Sequence, residues 1–94
     1  MASRIVRVGS TVGLHARPAA AIADVALTFN EEIMLHLVGE DDEGADASSS
    51  LMIMALGAQQ GDRVEVRSTN PKAVDAIADL VAANLDHGRR DATL

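Results

Sequence analysis

The chain has 94 residues, is 48% hydrophobic, and carries a formal net charge of −6 from 8 basic and 14 acidic side chains. A compact chain of that length buries about 60–65% of its extended surface, enough for one small domain with one core, and with Phe29 as the only aromatic residue that core must be aliphatic. The absence of cysteine excludes disulfides, thiolate metal sites and thiol nucleophiles, and an acidic chain without Trp or Tyr is a poor candidate for nucleic-acid binding.

In chain order, residues 4–8 (RIVRV) alternate, with Val6 and Val8 on one face and Arg7 on the other, and predict a strand. The first residues lack the apolar stretch of a signal peptide, and no apolar run approaches the roughly 18 residues of a membrane span. A cytoplasmic protein with no membrane insertion is therefore expected. From residue 16 to 28, Ala19, Ile22, Ala26 and Phe29 recur at helical spacing with Val25 beside them, while Arg17 and Asp24 fall outside that stripe. The alanine content adds strong helix propensity. Residues 32–38 set Ile33, Leu35 and Leu37 against Met34, His36 and Val38, giving a second strand.

Gly39 and Gly44 then bracket an acidic stretch, Glu40 to Glu43 with Asp46 following, which lacks the spacing of a calcium loop and reads as a solvated turn. Residues 45–48 fit a short edge strand. Residues 49–57 fit a helix of one or two turns, with serine as N-cap and Gly57 as stop. Residues 63–67 form a strand with Val64 and Val66 inward. The last helix, 70–88, has Asn70 as N-cap, Pro71 at its first position, a buried stripe of Val74, Ile77, Ala78, Val81 and Leu85, and Gly88 closing it. Residues 1–88 then make a single domain, and 89–94 a flexible tail. His36, on the outer face of a strand, and His87, after the last helix, lack ligand spacing and are expected at the surface. Neither a metal site nor a Gly-rich nucleotide loop is present in the pattern, so no cofactor is expected.

The order is strand, helix, strand, strand, short helix, strand, helix (βαββαβα). Two amphipathic helices need a cover, and alternating strands offer one apolar face. The simplest α+β packing is an antiparallel sheet with its helices on one side and water on the other.

The segment GLHARPAA (13–20) puts His15 and Arg17 where the first helix begins. A helix start leaves backbone N–H groups unpaired and carries about half a positive charge, so anions, phosphate above all, favour it. Arg17 adds a fixed fork of donors. Residues 1–20 also hold Arg4 and Arg7 and no acid, which predicts a locally positive His15 end. Near neutral pH an imidazole offers a nitrogen lone pair, which beside an anion pocket can act as a nucleophile toward phosphorus. Spacing alone leaves a second reading open, an ordinary anion-binding site that is never modified.

GLHARPAA and SSSLMIMALGAQQGD, in that order and separated by strands, resemble the histidine-containing phosphocarrier (HPr) family of the bacterial phosphoenolpyruvate-dependent sugar phosphotransferase system, over about residues 2–86. The resemblance implies an open-faced β-sandwich, four antiparallel strands beneath three helices. It implies that His15 accepts a phosphoryl group on Nδ1 from phosphorylated enzyme I and donates it to EIIA domains of sugar permeases. Arg17 assists, and the phosphate sits near the backbone of Ala16 and Arg17. The protein is then a carrier rather than an enzyme. Ser49 matches a serine that a regulatory kinase can phosphorylate, although Ser48 stands where many members carry lysine. Residues alone favour the plainer role, that one of Ser48, Ser49 and Ser50 caps the helix. The family match further implies a docking surface of Ala16, Ala20, Leu27, Ser50, Leu51 and Met54, with Met52, Ile53 and Leu56 open to either core or surface. Some members carry lysine where Leu27 stands, so docking here is expected to be more apolar. Enzyme I, EIIA domains, and a serine kinase or transcriptional regulator are the partners implied for a monomeric protein. A paralogue serving a nitrogen-linked or dihydroxyacetone branch is the rival reading.

Overall fold

The computed structural model describes residues 1–40 and 43–83. Among the described residues seven elements follow one another: β1 (Ala2–Arg7), α1 (Ala16–Ala26), β2 (Ile33–Leu37), β3 (Ala45–Asp46), α2 (Ser50–Ala55), β4 (Arg63–Ser68) and α3 (Pro71–Ala82). The strands form one antiparallel sheet in the order β1-β4-β2-β3. The three helices cover one face, so the fold is the expected open-faced sandwich.

Register explains which side chains meet the helices. Val6 faces Val64, Leu35 faces Val66 and Ile33 faces Ser68, so these residues share the inner face. Met34, Glu65 and Arg67 alternate onto the outer face. Under the helices Ile22, Leu35, Ile53 and Ile77 are the largest fully buried side chains. Each such aliphatic contributes about 1.5–3 kcal/mol when buried. α3 packs across β1 and β4, α1 lies against α3, and α2 bridges α1 and β3.

Several boundaries differ from the sequence reading. β1 starts at Ala2, because pairing with β4 continues to Ala2 opposite Ser68. It ends before Val8, whose N–H donates to the Asp62 carbonyl at 2.9 Å outside the ladder. α1 ends at Ala26 with Leu27 as its C-cap, and Thr28 closes a turn on Val25. α3 stops at Ala82, and Ala83 is extended (φ −76, ψ 149). The stop is tertiary: Gly9 donates its N–H to the Val81 carbonyl at 3.0 Å and passes against the Ala82 carbonyl too closely for any Cβ. Leu85, His87, Gly88 and the 89–94 tail lie outside the described residues. His36 is half-buried rather than at the surface, its ring lying over Gly44.

Candidate functional site

The approach to α1 is held at three points. A turn joins Ser10 and Gly13, whose N–H donates to the Ser10 carbonyl at 3.0 Å. Gly13 itself has φ 75, a left-handed conformation that glycine adopts without steric cost. Leu14 then plugs into the core at 3% exposure, and its N–H donates to the Ala58 carbonyl at 3.0 Å. His15 follows directly, exposed, with extended backbone at φ −88 and ψ −164. A buried residue next to an exposed one fixes the direction in which the imidazole leaves the surface.

His15 is the N-cap residue of α1, and its carbonyl accepts the first intrahelical bond from Ala19 N–H at 2.8 Å. Its side chain makes no capping bond. The other two helices are capped in the ordinary way. Ser49 Oγ accepts from Met52 N–H at 3.2 Å and Asn70 Oδ1 accepts from Lys72 N–H at 3.0 Å. At the start of α1, the N–H groups of Ala16 and Arg17 therefore have no acceptor among the described residues, and Pro18 has no N–H to leave unpaired. Arg17 is exposed and forms none of the ion pairs seen among the described residues. Two backbone donors, one guanidinium and one uncommitted imidazole thus meet at a positive helix end, an arrangement suited to a phosphoryl group.

The positive character there is more local than the sequence predicts. Arg4 turns to α3 and contacts Asp79 at 3.1 Å and Asp75 at 3.5 Å. Arg7 donates to the Gly61 carbonyl at 2.9 Å. Neither serves His15, so Arg17 and the helix terminus supply the field.

Around this point Ala16 and Ala20 are exposed, Leu27 is 68% exposed and Leu51 75%. Ser50 and Met54 are half-buried, Met54 packing against the core. Ile53 is fully buried and Leu56 partly so. Met52 is 44% exposed and lines a shallow groove of about 240 Å³ with Leu37, Ala55 and Leu56. A six-residue helix gives too little periodicity to separate Met52 from Met54 in advance. Ala58, whose carbonyl holds Leu14, carries no sequence signal at all: the group that matters belongs to the backbone.

Among the described residues no group of His, Cys, Asp and Glu is arranged to hold a metal ion, and no helix is long and apolar enough to cross a membrane.

Residues 2–84 match the family model described as the PTS HPr component phosphorylation site. The chain is 34% identical over 89 residues to the phosphocarrier protein HPr of Streptomyces coelicolor, covering 92% of this chain and 94% of that one. It is 32% identical over 79 residues to the phosphocarrier protein NPr of Escherichia coli (strain K12), covering 82% and 83%. Among solved structures, the HPr of Thermoanaerobacter tengcongensis superposes with a TM-score of 0.75 at 31% identity, covering 86% of this chain and 91% of that one. The chain belongs to the HPr family of the phosphotransferase system, and it is a phosphoryl carrier between enzyme I and EIIA domains rather than an enzyme.

Proposed function

We propose that His15 is the residue that carries the phosphoryl group, on Nδ1, with Arg17 and the backbone N–H groups of Ala16 and Arg17 receiving its oxygens. One observation carries this reading: His15 occupies an N-cap without capping, so its ring is free and the donors it would otherwise satisfy remain open. An imidazole with its proton on Nε2 presents the Nδ1 lone pair. That pair forms the new P–N bond as the bond from phosphorus to enzyme I breaks, and the released electron pair stays with enzyme I. Transfer to EIIA repeats the exchange in the forward direction.

The exposure of the site suits a carrier. Each 1.4 kcal/mol by which the protein holds the loaded state more tightly slows or disfavours onward transfer about tenfold. Two N–H groups and one arginine, open to water, neutralise charge without trapping it. In-line phosphoryl transfer depends on positioning and charge stabilisation, which the partner proteins complete.

Ala16, Ala20, Leu27, Ser50, Leu51 and Met54 form the surface on which enzyme I and EIIA dock, with exposed Leu27 and Leu51 as its apolar points. The protein acts as a monomer of one domain over residues 1–88, in the cytoplasm. Ser49 is a second, regulatory site for a serine kinase, its modification read by a transcriptional regulator. Its hydroxyl already serves as the cap of α2, so modification there competes with a structural bond.

The test uses enzyme I, radiolabelled phosphoenolpyruvate and three forms of the protein. The wild type gains acid-labile label, His15→Ala gains none, and Arg17→Ala gains it at least about tenfold more slowly with unchanged circular dichroism. Label persisting in His15→Ala would overturn the assignment. The similarity to an NPr phosphocarrier favours a second reading of the same chemistry, service to a nitrogen-linked branch in place of sugar uptake. Offering the loaded protein a panel of EIIA domains separates the two by which acceptor gains the label.

A further inference from the structure

Within α1 the exposed residues are Ala16, Arg17, Ala20 and Asp24, followed at the C-cap by Leu27. All others are buried or half-buried. At about 100° per residue, Asp24 lies some 40° from Ala20 and 60° from Leu27 around the helix, beside the line joining them and between the two along the axis. It is the one acid on this face, and it forms none of the ion pairs seen among the described residues. No basic residue occupies the last turn of α1, whose carbonyl end adds further negative potential.

A partner that covers both Ala20 and Leu27 also reaches Asp24, which flanks the line between them about one turn after Ala20. Desolvating a carboxylate without an opposite charge is strongly unfavourable. The partner must therefore either present a cation there or leave the contact incomplete. The stripe is bipolar: His15, Arg17 and the open N–H groups make its positive end, and Asp24 lies about 13 Å further along the axis, nine residues at about 1.5 Å each. Acids continue past that end, since Glu31, Glu32 and Asp46 line a concavity that Leu27 also borders.

We propose that Asp24 is a specificity-determining residue of phosphoryl transfer, pairing with a lysine or arginine of enzyme I that docks about 13 Å from His15 along the α1 axis. The inference rests on the docking surface assigned above. Asp24 touches neither the phosphoryl group nor His15. It selects which protein docks and in what orientation, through charge complementarity on the encounter.

The experiment measures phosphoryl transfer from phosphorylated enzyme I to wild type, Asp24→Glu, Asp24→Asn and Asp24→Lys, with Asp75→Asn removing an equal charge on α3 as control. Asp24→Lys should raise KM about tenfold at low ionic strength with kcat unchanged. Asp24→Asn should fall between, while Asp24→Glu and Asp75→Asn should match the wild type. The gap between Asp24→Lys and wild type should narrow as salt is added. Asp24 is exposed and unpaired among the described residues, and Asp75 is exposed with only a long contact to Arg4. All four variants should therefore melt close to the wild type, which separates docking from folding. A KM and salt response unaltered in Asp24→Lys would overturn the proposal while leaving His15 as carrier. A wild type that takes no label on His15 would overturn the carrier assignment itself. A change in kcat alone would assign Asp24 to the chemical step and contradict its role in docking.

Discussion

At Gly13 the backbone has φ 75 and runs so close to the loop after α2 that an added Cβ would lie 2.5 Å from the Ala58 oxygen. Two residues later the chain has placed Leu14 in the core and His15 in water. A Gly13→Ala substitution meets both penalties, a left-handed backbone costing about 1–2 kcal/mol and a contact with a backbone atom that cannot swing aside. It should lower the melting temperature and also slow phosphoryl transfer, because Leu14 and the direction of His15 shift with the loop. Unchanged melting and transfer would show that Ala58 does not anchor the site. His15 and Arg17 were legible in the sequence because polar, chemically distinctive side chains are scarce next to an alanine-rich helix. The Ala58 carbonyl was not, since every residue has one and only the fold says which carbonyl is near. Asp24 was legible as exposed, but its place in the proposed docking stripe depends on Ala20 and Leu27 being exposed with it.

α2 shows how one short element carries two constraints. Its six residues cannot form a stable helix alone. It persists because Ile53 is buried, Ser49 caps its start, and Gly57 (φ 70) ends it. Ser49→Ala should cost about 1 kcal/mol, read as a lower urea midpoint at constant m-value. Ser49→Asp should keep the midpoint near wild type, since aspartate also caps. A midpoint unmoved by alanine would show that the 3.2 Å bond to Met52 N–H is not a stabilising cap. Serines before an apolar run and a following glycine made this helix readable in advance. The end of α3 was not readable, because Gly88 is a sound local stop while the actual one comes from Gly9, far away in sequence. Two-residue β3 was readable only as a short edge segment, its pairing with β2 being what makes it a strand.

Over the whole molecule, the register places most of the strand arginines among the described residues away from His15. Three of the arginines lie on strands facing away from the helices or at their edge: Arg7 bound to the Gly61 carbonyl, Arg67 to Glu65, and Arg63 opposite Arg7. Arg4 ties β1 to α3 through Asp75 and Asp79, a half-exposed contact that adds only a little stability. On the helical side Arg17 stands beside His15 with Asp24 further along α1, and Asp75 and Asp79 lie on α3. Strand and helix order, with helices on one side of an antiparallel sheet, followed from hydrophobic period together with caps and stops. The open-faced sandwich of four strands and three helices followed from the family resemblance. The distribution of charge needed the register. It turned an expected positive end, built from Arg4, Arg7 and Arg17, into one arginine and a helix terminus.

The most direct measurement is ³¹P and ¹⁵N NMR of the uniformly ¹⁵N-labelled protein after incubation with enzyme I and phosphoenolpyruvate, followed by addition of an EIIA domain. The account predicts a phosphoramidate signal coupled to Nδ1 of His15, with amide shifts centred on Ala16 and Arg17, and its disappearance as EIIA takes the group. Phosphorus bonded to Nε2, to a serine or to any other side chain, or a His15 adduct that EIIA cannot discharge, would contradict it.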